Sequence, residues 1–235
     1  VLKGSAVREI VSYLEKREVE HLVHFTPVSN LEGIRRRGIV PRIELEECGD
    51  VEFKALDGMR LDGGKHMSCF SLSFPNYLMM YRYRKLLAKE GDDIAVLFIK
   101  IECLARLSVD QVLFYPSNAA SHECREMDEC DLMGVEAVRR MFDERGGTRR
   151  GHEFFRKELG IPAYLTTDPQ AEVQIAATIP WSDVSFVAVN SFKKREELRR
   201  RGLYGSVYGK WDVKKDKSLS VFSYPECWSI WVEKG

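Results

Sequence analysis

Four side chains with chemistry to offer interrupt otherwise apolar stretches. Three belong to EHLVHFTPVSNLEGIRRRGI (20–39), where His24, Thr26 and Asn30 follow one another across an apolar run. The fourth is Glu172, at the start of the alternating segment AEVQIAATI. An imidazole, a hydroxyl and an amide can hold the hydroxyls and phosphates of a ligand. A carboxylate in a poorly solvated place can stabilise positive charge that develops beside it. Each residue also has a plainer reading. His24 can be a satisfied histidine at a strand edge. Glu172 can face solvent beside Gln174, with Val173 and Ile175 turned inward, since two-residue alternation does not separate an exposed glutamate from one lining a cleft.

Generic signatures narrow the field by their absence. No GxGxxG follows a strand, no GxxxxGK[ST] is present, and neither GxSxG nor HExxH occurs. His122, Cys124 and Cys130 share HECREMDEC, but the spacing fits no zinc pattern and a fourth ligand is not evident, so no metal is expected. The six cysteines form no CxxC pair. With no apolar h-region in VLKGSAVREI, they read as reduced thiols of a cytoplasmic protein. The opening VLKGS reads as a cloning remnant. No apolar run approaches the ~18 residues of a membrane span, so no membrane partner is expected.

These residues need a scaffold, and the patterning supplies one. Val7, Ile10, Val11 and Leu14 share a helical face within 6–16, and HLVHF follows as a strand. Ser29 with Glu32 three positions on reads as a capping box, and Gly38 as the stop. Residues 42–65 read as a long polar loop. MSCFSLSF is a strand, and Pro75 opens a helix carrying Tyr77, Met80, Tyr81 and Leu87. IAVLFIKIE is the clearest strand and VDQVLFY another. A polar loop and a helix around 135–142 follow. RGGTRRGHEFFRKELGIP reads as a loop with a short helix. AEVQIAATI and VSFVAVN are strands, and a basic helix with weaker strand material ending in SIWVEKG closes the chain. Without a βαβ rhythm this is an α+β protein, expected as a single domain over 1–235 with 191–235 elaborating the core.

The chain of 235 residues carries a formal net charge of zero, so bulk charge does not announce a nucleic-acid binder. The distribution is less even. Arg35–Arg37, Arg149 with Arg150, and KKREELRRRG (193–202) are basic, while ELEECGDVE (44–52) is acidic. Any one basic cluster reads as a solvated face, whereas two or three brought together would suit a polyanion.

HFTPVSNLEGIRRRGI resembles the opening of the DarT family, toxins that ADP-ribosylate single-stranded DNA using NAD. CFSLSFPNYLMMY is similar to the next block of that family, and AEVQI to its late block, in the family's order. The resemblance implies an ADP-ribosyltransferase-like split β-sheet core with flanking helices. It implies NAD as co-substrate, single-stranded DNA as acceptor, and an antitoxin of the macrodomain glycohydrolase type as partner. Glu172 becomes the catalytic carboxylate. His24, Thr26 and Asn30 become a cofactor rim, with free N–H groups at the start of the Asn30 helix for the pyrophosphate and Tyr77 stacking on nicotinamide. Some relatives carry an arginine where this chain has Phe74, so Arg82, Arg84 or Arg42 would balance charge. Arg84 is assigned to catalysis and Arg42 to the cofactor. Arg149, Arg150, Lys193, Lys194 and Arg195 would grip the DNA. An RNA or protein acceptor, or a catalytically silent nucleic-acid-binding module, are the alternatives.

Overall fold

The computed structural model describes residues 3–49, 52–56, 64–148, 151–203, 207–209 and 221–233. Its strands are β1 (His21–Pro27), β2 (Ser68–Leu72), β3 (Ile94–Lys100), β4 (Val112–Tyr115), β5 (Arg145–Gly147), β6 (Glu153–Phe155), β7 (Glu172–Ile175), β8 (Val184–Val189) and β9 (Val207–Gly209). Its helices are α1 (Lys3–Lys16), α2 (Leu31–Arg37), α3 (Arg42–Cys48), α4 (Tyr77–Lys89), α5 (His122–Arg125), α6 (Gly134–Arg140), α7 (Phe192–Arg200) and α8 (Ser229–Glu233). Arg149 and Arg150 lie outside the described residues.

One sheet runs in the order β4-β7-β2-β1-β3-β8-β9, antiparallel until β9 joins β8 in parallel. An interior strand, β3, is IAVLFIK, buried from Ile94 to Ile99. A run apolar on both faces needs cover on both faces. On one side Val7, Ile10 and Leu14 of α1 and Val138 of α6 pack against Leu22, Leu97, Ile99, Val173 and Ile175. On the other, Tyr77, Met80 and Leu87 of α4, with Trp228 and Trp231, pack against Val23, Val96 and Phe98. The fold is therefore α+β, as the patterning predicts.

The sheet is split. β1 and β2 pair only at Leu22–Leu72 and Val23–Ser71. Beyond Val23, β1 continues along β3 as far as Pro27, while β2 before Ser71 continues along β7 from Phe70 back to Ser68. The halves β4-β7-β2 and β1-β3-β8-β9 thus part in the middle. Gly38 anchors one margin, where Ile39 forms a bridge with Ile179. Its φ of 85° and the Ile179 carbonyl pressed against it leave no room for a Cβ.

Several local readings are corrected. Ser29 does not cap α2, because a 3₁₀ turn over Val28–Asn30 runs into the helix and Ser29 Oγ donates instead to Asp92 Oδ2 at 2.7 Å. The expected long loop begins with α3, which opens after Pro41 and ends at Gly49 in the left-handed region. Arg145–Gly147 and Glu153–Phe155 pair as β5 and β6, with Gly146 against the Phe154 ring, and residues 156–160 form a turn in place of the expected short helix. The end of the chain, read as strand, is α8; burial of Trp228 and Trp231 on α4 and β6 outweighs their strand propensity.

Candidate active site

The parted sheet opens into a cleft of about 1460 Å³. Five consecutive residues of β1, Val23 to Pro27, line it, and so do Met67 to Ser71 at β2. Successive strand residues point to opposite faces, so an unbroken lining means that the strand edges themselves form the walls. Alternation puts His24 and Thr26 on the face of Leu22, and Glu172 and Gln174 on the face away from Val173 and Ile175. Both sets reach the cleft or its wall because the gap joins the two faces. The volume exceeds the roughly 300–1,000 Å³ of a typical small-molecule pocket.

His24 spans the gap. Its Nδ1 lies 2.8 Å from the Cys69 carbonyl oxygen of β2. A carbonyl can only accept, so Nδ1 carries the proton and Nε2 is left with its lone pair. Burial pushes the His24 pKa down, and the carbonyl bond opposes this only in part. The ring is therefore a neutral acceptor suited to a ligand hydroxyl. The side chain takes over, across the opening, from the ladder that stops one residue earlier.

Glu172 is half-buried at the start of β7, paired with Tyr115 of β4, and lines the cleft. Its Oε1 accepts from Gln174 Nε2 at 3.0 Å. Gln174 is 2% exposed, so the face read as outward is an interior one. Burying a glutamine there is tolerable because its amide is hydrogen-bonded.

Thr26 and Asn30 also line the cleft, but the Asn30 amide is engaged by protein. Nδ2 donates to Thr26 Oγ1 at 3.0 Å and to the Lys54 carbonyl at 2.9 Å, while Oδ1 accepts from the Lys54 N–H at 2.8 Å. Both donors are used, so Asn30 holds segment 52–56 as a wall of the cleft. The α2 start is likewise not open, since the Leu31 N–H bonds the Val28 carbonyl.

Tyr77 is a correction. It is 2% exposed, stacks on Trp228 and Tyr224, and donates to the Trp228 carbonyl at 3.1 Å. It belongs to the core under α4 and not to the cleft lining. Arg84 is another, for it turns to Asp93 at 3.7 Å and to the Phe222 ring. The adjacent exposed Arg82 lines the cleft, at the helical position that shares a face with Met79 and Leu86. Arg42 lines it too, bonded to Glu46 at 2.6 Å.

The basic helix α7 packs at the β8–β9 edge, and none of Lys193, Lys194 and Arg195 lines the cleft. Lys194 pairs with Glu197 at 2.8 Å and Arg195 with Glu196 at 3.1 Å. Among the described residues, the cations that do reach the cleft are Arg42, Lys54, Arg82, Arg125, Arg140 and Arg145, gathered from separate elements. His122 and Cys124 of HECREMDEC both lie on α5, one exposed and one buried. Among the described residues no group of three metal-ligating side chains converges.

Sequence reading missed Asp168, which lines the cleft four residues before Glu172. Its Oδ2 accepts from Ser117 Oγ at 2.7 Å and its Oδ1 from the Gln170 N–H at 2.7 Å. Burial raises its pKa to about 6 against those two bonds. The Asp-Pro-Gln order is the signal available beforehand, an Asx turn ahead of a strand.

The split sheet, with a carboxylate and a neutral imidazole at its opening, is the ADP-ribosyltransferase-like fold that comparison with known proteins shows. Residues 23–202 match the family described as DarT, ssDNA thymidine ADP-ribosyltransferase. The chain belongs to the DarT family, whose donor is NAD. Among solved structures it is similar to Thermosipho africanus DarTG in complex with ADP-ribose, at 17% identity and a TM-score of 0.53 over 81% of this chain. That likeness is one of fold, and this chain spans about half (49%) of the length of that one. No curated protein matches the chain. Among the described residues no helix is long and apolar enough to cross a membrane.

Proposed function

We propose that this protein transfers ADP-ribose from NAD to a thymidine base of single-stranded DNA, with Glu172 as its catalytic carboxylate. The observation that carries this reading is the convergence of Glu172 and His24 on one cleft large enough for a dinucleotide and a base together, in a chain of the DarT family. The NAD supplies an electrophilic ribose carbon whose leaving group departs as a neutral pyridine, so no general acid is required. Glu172 holds the ribose hydroxyl and stabilises the positive charge that develops on the sugar. His24 accepts a hydroxyl proton at Nε2. Thr26 sits beside it, and Asn30 keeps the 52–56 wall in place. Arg42 and Arg82, both in the cleft lining, are assigned to the phosphates. A single strand leaves base edges open, so a base nitrogen reaches the cleft without the unstacking cost of a duplex.

The biological role follows from the same reading: a cytoplasmic toxin whose product is reversed by a macrodomain glycohydrolase antitoxin. The test is mass spectrometry of short oligonucleotides after incubation with NAD. Thymidine-containing single strands should gain ADP-ribose, whereas duplexes and strands without thymidine should not. Glu172→Gln should keep NAD binding and lose ~10²-fold or more in rate. Near-normal turnover by Glu172→Gln removes it from the mechanism, and modification of RNA or protein in place of DNA overturns the acceptor.

A further inference from the structure

We propose that Asp168 is the proton acceptor for the ring nitrogen of the acceptor base, a second catalytic carboxylate beside Glu172. The inference rests on the base-modifying reading above and adds a residue to it. A thymine ring nitrogen that attacks the ribose carbon carries a hydrogen that must leave. As the base nitrogen gives its electron pair to the ribose carbon, the bond to nicotinamide breaks and its pair departs with the nicotinamide. The N–H proton passes to the Asp168 carboxylate and from there to solvent. Glu172 already accepts from Gln174 and faces the sugar, so stabilising the sugar and removing the proton fall to two groups.

The placement suits the task. The Asx turn at Asp168–Gln170 and the Ala171 N–H to Asp168 carbonyl bond of 3.1 Å lead directly into β7, so Asp168 and Glu172 ride on one rigid stretch. Ser117 reaches Asp168 from just beyond the end of β4, two residues after Tyr115, the partner of Glu172. Each Asp168 oxygen accepts one bond from protein and keeps a lone pair for another. Burial also brings this carboxyl to about 6, closer to working pH than an ordinary aspartate, which favours a base.

The ionisable groups whose charge is felt at Asp168 are Cys124 of the segment after β4 and Tyr77 of α4, while His122, Glu172 of β7 and Arg145 of the hairpin line the same cleft. Burial pushes the Cys124 thiol and the Tyr77 phenol up, so both stay neutral near neutral pH. His122 is a second proton-accepting side chain in the lining, so His122→Gln serves as a control.

The experiment compares wild type, Asp168→Asn, Ser117→Ala and His122→Gln as full chains, with NAD and a thymidine-containing single strand. Transfer and DNA-free NAD hydrolysis are measured from pH 5 to 9. Asparagine preserves the turn, so Asp168→Asn should lose transfer by ~10² or more while hydrolysis stays within about twofold. Ser117→Ala, which removes the tie but keeps the charge, should retain transfer within several-fold. The wild-type transfer rate should rise through an inflection near pH 6 that survives in His122→Gln and is absent from Asp168→Asn. Full transfer by Asp168→Asn, parallel loss of transfer and hydrolysis, or a Ser117→Ala defect equal to that of Asp168→Asn would make Asp168 structural and overturn the assignment. Should Asp168→Asn not fold, a wild-type profile without that inflection overturns it. Wild type inactive on DNA overturns the transferase reading itself, a different result from an active wild type with an active Asp168→Asn.

Discussion

Gln174 Nε2 donates to Glu172 Oε1 over 3.0 Å, from two residues further along the same face of β7. The amide is buried and the carboxylate is half-exposed, so the bond aims a cleft group from a fixed base. A hydrogen bond to a charged group contributes about 1.5–3 kcal/mol, which corresponds to roughly 10- to 100-fold. Gln174→Leu should lower kcat by that order while leaving KM for NAD nearly unchanged. Steady-state kinetics decide it, and an unaltered kcat would leave Gln174 with a packing role alone.

Asn30 is predicted to act through the Lys54 backbone. In Asn30→Asp the donor to the Lys54 carbonyl is replaced by an oxygen, and two acceptors then face each other. The Lys54 amide should exchange its hydrogen at least ~10-fold faster, and NAD should bind more weakly, with the global melting point little changed. Unchanged protection at Lys54 would return Asn30 to direct ligand contact.

Arg82 and Arg84 separate two roles on one helix. Arg82→Ala should reduce the salt dependence of DNA binding by ~0.7 log per decade of salt, the share of one phosphate contact. Arg84→Ala should leave that slope alone, because Arg84 is turned toward Asp93 and Phe222. Fluorescence anisotropy at several salt concentrations reads both, and a larger effect from Arg84 would reverse the assignment.

Asp168 makes a prediction about stability that is independent of catalysis. Its folded pKa of about 6 stands above the ordinary 3.8, so between those values the folded chain holds a proton that the unfolded chain has released. Unfolding free energy then falls as pH rises across that window, by about 1.4 kcal/mol per pH unit at most. Asp168→Asn should therefore be more stable than wild type above pH 6, the difference closing by pH 4. Thermal melts over that range check the sign.

How much of this was readable beforehand depends on whether a residue's partner is local. β1, β3 and β8 were evident because their apolar runs report burial directly, and Glu172 stood at a recognisable strand start. The three separated blocks carried the family. What failed was non-local. Tyr77 and Arg82 lie on one helix, and only the docking of α4 decides that the tyrosine is core and the arginine is cleft. Ser29 with Glu32 had the letters of a capping box, but Asp92 captured the hydroxyl. The amide of Asn30 looked available because Lys54, 24 residues away, is not part of any local pattern. Asp168 escaped notice since its Asx turn is visible in sequence but its burial is not.

Among the described residues, the short pairing between β1 and β2 leaves two interior margins of the sheet without a strand beside them, at His24–Pro27 and Ser68–Phe70. Strand margins with no neighbouring strand ordinarily invite another chain to add one and seed self-association. Here they face each other across a cleft walled by segment 52–56, the segment after β4 and the β5–β6 hairpin. An incoming strand would have to enter that walled space, past the His24–Cys69 crosspiece, to reach either margin. The opening that admits a ligand is therefore also shielded from aggregation, and substitutions that strip its walls should be felt as insolubility as well as lost activity.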